Sequence, residues 1–378
     1  MFPIHASPSR HARYRSLTSG RLRDALCAAV LTAVLAGSAH AQTVPPATSP
    51  PATSPTPPSS VPLAMPAATP VPAAATALAP LGYPPVPLLW KMSDADNAVY
   101  LLGSFHLLRP DDYPLSNDVN AAFADARALV FELPPAEMAS PQLGVQMAQA
   151  ALRTDGTTLD SQLSPATRAK LVTWLGMHVV QLQTSGLTPQ ALQKFEPWFV
   201  ALMVTLGELA GHGLDPALGV DRHFMDAAAA AGKPSIGFET GAEQVAFLDG
   251  MATTEQLQFL DEALSPPSEG DEDPDTLHAA WRAGDADALW NGMAAEMKSR
   301  YPDLYQRINV SRNDAWLPKV ESLLARPGSD NTLVVVGSLH LIGADGIVAK
   351  LRAKGYAVER ICSVCVEAGQ AVDVSKVR

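Results

Sequence analysis

Residues 99–108 read VYLLGSFHLL and residues 332–343 read TLVVVGSLHLIG. In each stretch an unbroken apolar run stops at a glycine, and a histidine follows three positions later. A run without polar alternation is the pattern of a strand buried on both faces, as in a parallel sheet covered by helices. The glycine lets the backbone turn at the carboxyl end of the strand, where open α/β sheets bind ligands. His106 and His340 therefore project at a sheet edge, and they share a site if their strands are neighbours. One Gly-x-x-His is a weak signal. Two copies, each preceded by a strand pattern and followed by a helix pattern, point to a shared site, the bland reading being two buried, hydrogen-bonded histidines.

The surroundings of the two stretches match. After the first, Ser116 to Ala126 reads as a helix opened by a serine cap, and Ala128 to Phe131 as a buried strand delivering Glu132. In the second, Leu333 to Val336 is the strand, Gly343 to Lys354 a helix closed by Gly355, and Tyr356 to Ile361 the next strand. Right-handed crossovers make the strands of each unit parallel. Between the units, Ser164 to Leu175, Gln190 to Ala210, Leu218 to Ala231, Thr254 to Leu264, Asp275 to Ala283, Asp285 to Met297 and Arg312 to Leu324 carry helical patterns. Pro165 and Pro189 sit as first-turn prolines. Ser235 to Phe238 reads as a third short strand, delivering Glu239. The expected fold is α/β: a mixed or mostly parallel central sheet with many helices, in which two strand–GxxH–helix–strand units flank a helical middle region. It spans residues 87–367, with 368–378 as a tail.

The amino terminus is expected to lie outside that fold. Arg10, Arg13, Arg15, Arg21 and Arg23 precede an uncharged stretch from Ala25 to Gly37 and then Ala39-His40-Ala41, the pattern of an export signal over residues 1–41 cleaved after Ala41. That stretch is too short for a stable span, so no span is expected after cleavage. Residues 42–86 are expected to be a disordered Pro/Ala-rich linker, with 14 prolines between Thr43 and Pro85 and no charge there. Loss of the signal removes five basic residues and one acidic residue, taking the net charge from −11 to −15. An acidic chain of this kind argues against nucleic acid or anionic lipid as a partner. Cys362 and Cys365 are expected to be either a short-loop disulfide or two reduced, buried thiols.

Glu132 and Glu239 end predicted strands at the same sheet edge as the histidines. Carboxylates so placed either complete a metal site with imidazoles or act as general base on a water; the structural reading is a helix-terminal anion. Asp221, in LGVDRHF, either faces the site or caps its helix. Arg307 or Arg312, with Asn313, could meet a developing oxyanion or form an ion-paired helix face. His178, His212, His223 and His278 read as loop or surface residues. Ser104 and Ser338 read as turn-bonding serines, since no G-x-S-x-G elbow occurs. HExxH, Walker A and GxGxxG patterns are absent, and the acidic stretch Glu269 to Asp275 lacks the spacing of an EF-hand.

Paired GxxH motifs with LVFEL after the first, GVDRHF and GKPSIGFET in the middle, and RN before the second resemble the TraB/GumN family over about Leu88 to Ile361. That family is related to the Tiki metal-dependent proteases, and its fold is compared with haem-binding ChaN-like and erythromycin-esterase-like domains. The resemblance puts His106 and His340 in the two GxxH motifs, Glu132 at the acidic strand end, Asp221 in Gly-x-Asp, Glu239 in Glu-Thr, and Arg312 and Asn313 in the Arg-Asn pair. One departure is Glu132-Leu133-Pro134, which lacks the second carboxylate of the family's Glu-x-Asp.

The resulting expectation is a periplasmic or secreted metal-dependent hydrolase, in its narrower form a Tiki-like peptidase acting on a peptide or other small substrate. A divalent ion, Mn, Co, Fe or Zn, would be held by His106 and His340 with Glu132, Glu239 or Asp221. Glu132 or Glu239 would move the proton, and Arg312 and Asn313 would meet the oxyanion. The alternative is a non-catalytic cell-envelope binding module for haem or a polysaccharide-export partner.

Overall fold

The two glycine–histidine strands lie side by side at the centre of a six-stranded sheet. The computed structural model of the chain describes residues 83–184, 187–265 and 274–365. The segment expected to be an export signal, most of the expected proline-rich linker, most of the acidic stretch at 269–275 and the expected tail at 368–378 lie outside the described residues. The strands are β1 (Leu89–Ser93), β2 (Ala98–Ser104), β3 (Ala128–Phe131), β4 (Ser235–Gly237), β5 (Thr332–Gly337) and β6 (Val358–Arg360), in the order β4-β3-β5-β2-β1-β6. β4, β3, β5 and β2 are parallel neighbours, whereas β1 pairs antiparallel with both β2 and β6. Every residue of β2 and β5 is buried, as expected of inner parallel strands with both faces covered.

The strands of each unit run in the same direction but are not partners. β5 inserts between β2 and β3, and β6 joins the far edge through β1. In the β2–β5 register Ser104 lies opposite Gly337, so the two GxxH segments leave the sheet at the same edge, one residue out of step. The hairpin β1–β2 was not expected from sequence. Its turn is closed by Asp94, whose carboxylate accepts the backbone N–H groups of Asp96 and Asn97.

The helices that position the site are α1 (Asn117–Asp125), α2 (Pro165–Met177), α3 (Pro197–Gly211), α4 (Val220–Ala230), α5 (Gly241–Asp249), α6 (Thr253–Ala263), α7 (Pro274–Ala283), α8 (Ser311–Leu324), α9 (Ser338–Leu341) and α10 (Ile347–Ala353). One expected helix is divided and another is shortened. The run from Gln190 to Ala210 is a one-turn helix, Pro189–Leu192, and then α3, because Pro197 has no N–H to give and keeps Glu196 extended. The run from Gly343 to Lys354 begins only at Ile347. Gly343 takes φ +73° against the Trp290 ring, and the chain between β5 and that point forms α9, which carries His340. Asp285 to Met297 is helical as expected, with a π-helical segment at Asn291–Ala295.

One apolar core joins sheet and helices, with Trp198, Trp281, Trp316, Phe131, Phe224 and Phe259 among its fully buried side chains. Each such side chain contributes about 1.5–3 kcal/mol relative to exposure. Beyond β6, Cys362 and Cys365 form a disulfide. No helix among the described residues is long and apolar enough to cross a membrane.

Candidate functional site

His106 leaves the sheet two residues after β2 ends and is held from behind by the first turn of α4. The N–H of Val220 donates to the Phe105 carbonyl at 3.2 Å. A Cβ on Gly219 would stand 2.1 Å from the His106 carbonyl oxygen, so only glycine allows α4 this close. The approach brings Asp221 Oδ2 to 2.6 Å from His106 Nδ1, and the Ser104 hydroxyl donates to the same oxygen. An ionised carboxylate only accepts, so Nδ1 carries the proton and the lone pair of a neutral ring lies on Nε2.

His340 is held in the same way by a different group. It follows β5 in α9, and its Nδ1 lies 2.7 Å from Asn313 Oδ1 in the first turn of α8. The Asn313 Nδ2 donates to the Asp345 carbonyl at 2.9 Å, which fixes the amide with its oxygen towards the ring. His340 Nε2 then accepts from Arg312 Nη1 at 3.1 Å. Burial, and next the Arg312 charge, hold this imidazole well below its ordinary pKa of 6.5.

Glu132 directly follows β3 and has no exposed surface. Its Oε1 accepts the Gly337 N–H at 2.8 Å and its Oε2 accepts Arg312 Nη2 at 2.7 Å, the pattern of an ionised carboxylate. Burial raises its pKa above the ordinary 4.5 against the pull of the Arg312 charge. His106 Nε2 and His340 Nε2 lie 3.8 and 3.9 Å from the same atom, Glu132 Oε1. Those separations are too long for direct hydrogen bonds.

Glu239 sits one layer further out. Its N–H donates to the Glu132 carbonyl, extending the β3–β4 ladder, and its carboxylate receives Arg312 Nε and Nη2 at 2.9 Å each. The indole N–H of Trp316 donates to the same carboxylate, and the Trp316 ring lies 4.7 Å from the Arg312 guanidinium carbon. Burial opposes the Arg312 charge, but Glu132 and Glu239 together keep it firmly protonated. Glu239 and Arg312 also line a surface cleft of about 450 Å³ with Phe247, Asp303, Gln306, Arg307, Ser311 and Ala315.

The fold thus gathers His106, His340, Glu132, Glu239, Asp221, Arg312 and Asn313 into one network. Three of them occupy places other than those expected. Asp221 lies behind His106 rather than on its Nε2 side, Asn313 is committed to His340 and Asp345, and Glu239 contacts Arg312 rather than the histidines. Arg307 lines the cleft, and Ser338 bonds the Ser104 carbonyl. His278, read as a loop or surface residue, is buried. Its Nε2 lies 2.7 Å from Asp112 Oδ2, and Arg282 meets the other oxygen of that carboxylate. Burial disfavours the Asp112 charge, but hydrogen bonds from His278 and the Arg109 N–H hold its pKa below the ordinary value. This cluster ties the segment after His106 to α7, whose Trp281 donates to the Gly103 carbonyl. His223 is half-buried against Tyr113. The role of Trp316 was also missed, since an apolar residue at helical spacing gives no sign that its indole N–H serves a carboxylate.

Two imidazole nitrogens and a carboxylate oxygen are a donor set suited to a divalent ion. The 3.8 and 3.9 Å from the imidazole nitrogens to the carboxylate oxygen approach the roughly 3.4 Å between two ligands of a tetrahedral ion. Each ring also has its other nitrogen bound from behind by an oxygen acceptor, as metal-bound histidines do. Among the described residues no group of three or more His, Cys, Asp or Glu is already drawn together as ligands. Arg312 Nη1 stands on one of the three donors instead. Comparison with curated proteins and with solved structures returns no match. The model of the TraB/PrgY/gumN family matches residues 88–360, a segment that contains the sheet and every residue of this network, and the chain belongs to that family.

Proposed function

We propose that the protein is an exported metal-dependent hydrolase, in its narrower form a peptidase. The observation that carries the reading is the convergence of His106 Nε2 and His340 Nε2 on Glu132 Oε1, with each ring fixed from behind by Asp221 or Asn313. His106, His340 and Glu132 would hold a divalent ion, Mn, Co, Fe or Zn. When bound, such an ion lowers the pKa of a coordinated water and polarises a substrate carbonyl.

The remaining roles fall to the chain's own groups. Asp221 and Asn313 keep both rings in the tautomer that turns Nε2 inward. Glu239, between the buried centre and the cleft, is the carboxylate that anchors Arg312 beside the site. Arg312 is the cation that meets developing negative charge on the substrate, and the cleft admits an extended chain to it. Support for export comes from the leader-like sequence at residues 1–41 and from the Cys362–Cys365 disulfide, which suits an oxidising compartment.

The test is hydrolysis of unstructured peptides by the full chain with Mn²⁺ or Co²⁺ added. Cleavage that is lost both on chelation and in His340→Ala supports the reading. Cleavage that survives both contradicts it.

A further inference from the structure

Arg312 is the one member of the network whose place conflicts with the ion proposed above. Its five N–H groups are divided between an outer and an inner set of acceptors. Nε and Nη2 grip Glu239 at the cleft, whereas Nη2 also reaches Glu132 Oε2, and Nη1 lies on His340 Nε2 at 3.1 Å. That last contact uses the lone pair a metal ligand must present. The outer grip is the more extensive, since Glu239 is itself fixed by the Trp316 N–H and the Trp316 ring backs the guanidinium. Withdrawal of Nη1 therefore leaves the side chain anchored at Glu239.

We propose that Arg312 is a built-in competitor for the divalent ion: its guanidinium occupies the inner ligand position in the metal-free protein and retreats onto Glu239 when an ion enters. The device solves two physical problems. Without an internal cation, Glu132 would be a carboxylate buried with no compensating charge. With it, the ion must displace a like charge, so loading becomes selective for ions whose affinity for two imidazoles and a carboxylate exceeds that of the guanidinium. Mg²⁺ and Ca²⁺, which favour oxygen ligands, are the ions this arrangement excludes.

This inference rests on the metal reading, and the experiment separates their failures. Mn²⁺ and Co²⁺ binding to the full chain is measured by competition with a chromophoric chelator, without substrate. The proteins are wild type, Arg312→Gln and Arg312→Lys, with near-ultraviolet circular dichroism to check folding. Lysine keeps the charge but cannot grip Glu239 side-on and reach His340 Nε2 together. Occupancy by Arg312 predicts that both variants bind the ion about tenfold more tightly than wild type, or more. Unchanged or weaker binding in a folded Arg312→Lys overturns the inference and leaves the metal reading intact, and that variant decides alone if Arg312→Gln fails to fold. Absence of binding in all three proteins removes the metal site and the inference together.

Discussion

Asp221 Oδ2 lies 2.6 Å from His106 Nδ1, and this pair joins the first turn of α4 to the end of β2. The contact selects the tautomer that points a lone pair towards Glu132. In Asp221→Asn the amide can donate to Nδ1 instead, which moves the ring proton to Nε2 and blocks it. Divalent-ion affinity should fall by about 10–100-fold with the fold retained. Chelator competition on the folded variant checks this, and an unchanged affinity would detach Asp221 from the site.

The His340 ring should stay neutral with its proton on Nδ1. Its pKa lies well below 6.5, chiefly through burial and then through the Arg312 charge. The unfolded chain takes up this proton near 6.5 and the folded chain does not. The ring's contribution to stability is therefore complete above about pH 6.5 and is lost as the pH falls towards the folded value. Glu132 works in the opposite sense: with its folded pKa above 4.5, its contribution is complete below 4.5 and is lost as the pH rises through the folded value. His340→Gln removes the first effect and keeps the second. The unfolding free energy of wild type relative to this variant should thus fall on going from pH 7 to pH 5, by at most about 1.4 kcal/mol per unit. Nitrogen chemical shifts of the ring report the same state directly, and a titration midpoint near 6.5 would contradict it.

Trp316 ties core packing to the site. It is fully buried, stacks on Phe238 and lies 4.4 Å from the His340 ring. Trp316→Ala should cost about 3–5 kcal/mol in urea unfolding and should loosen Arg312 as well. Trp316→Phe keeps most of the packing but drops the N–H to Glu239, so it should cost less stability than the alanine. Equal costs would show that the indole N–H, not the ring, is what matters.

The disulfide closes a loop of very few residues beyond the last strand. Replacing Cys362 and Cys365 by serine should cost about 2 kcal/mol or less. Both thiols should resist alkylation until a reductant is added. Ready alkylation of the untreated protein would show the pair reduced.

The centre of the fold was legible because β2 and β5 are buried on both faces and their sequences are correspondingly unbroken. β1 was not, since LWKMS is five residues with a lysine in the middle and its pairing depends on the Asp94 turn. The members of the site were legible because strand ends and helix starts deliver them, and Gly219 marks the closest of these approaches. Their roles were not legible, since which face of His106 meets Asp221, or which acceptor takes an Asn313 N–H, depends on how α4 and α8 dock. His278 was misread because Asp112, its partner, is far away in sequence and neither residue belongs to a motif.

The most direct test of the account is the stoichiometry of divalent-ion binding. Mn²⁺, Co²⁺ and Zn²⁺ are titrated calorimetrically into the full chain and into the His106→Ala/His340→Ala variant, with folding of both verified. The account predicts one tight site in the wild type and none in the variant. Equal binding by the two proteins, or none by either, would contradict it.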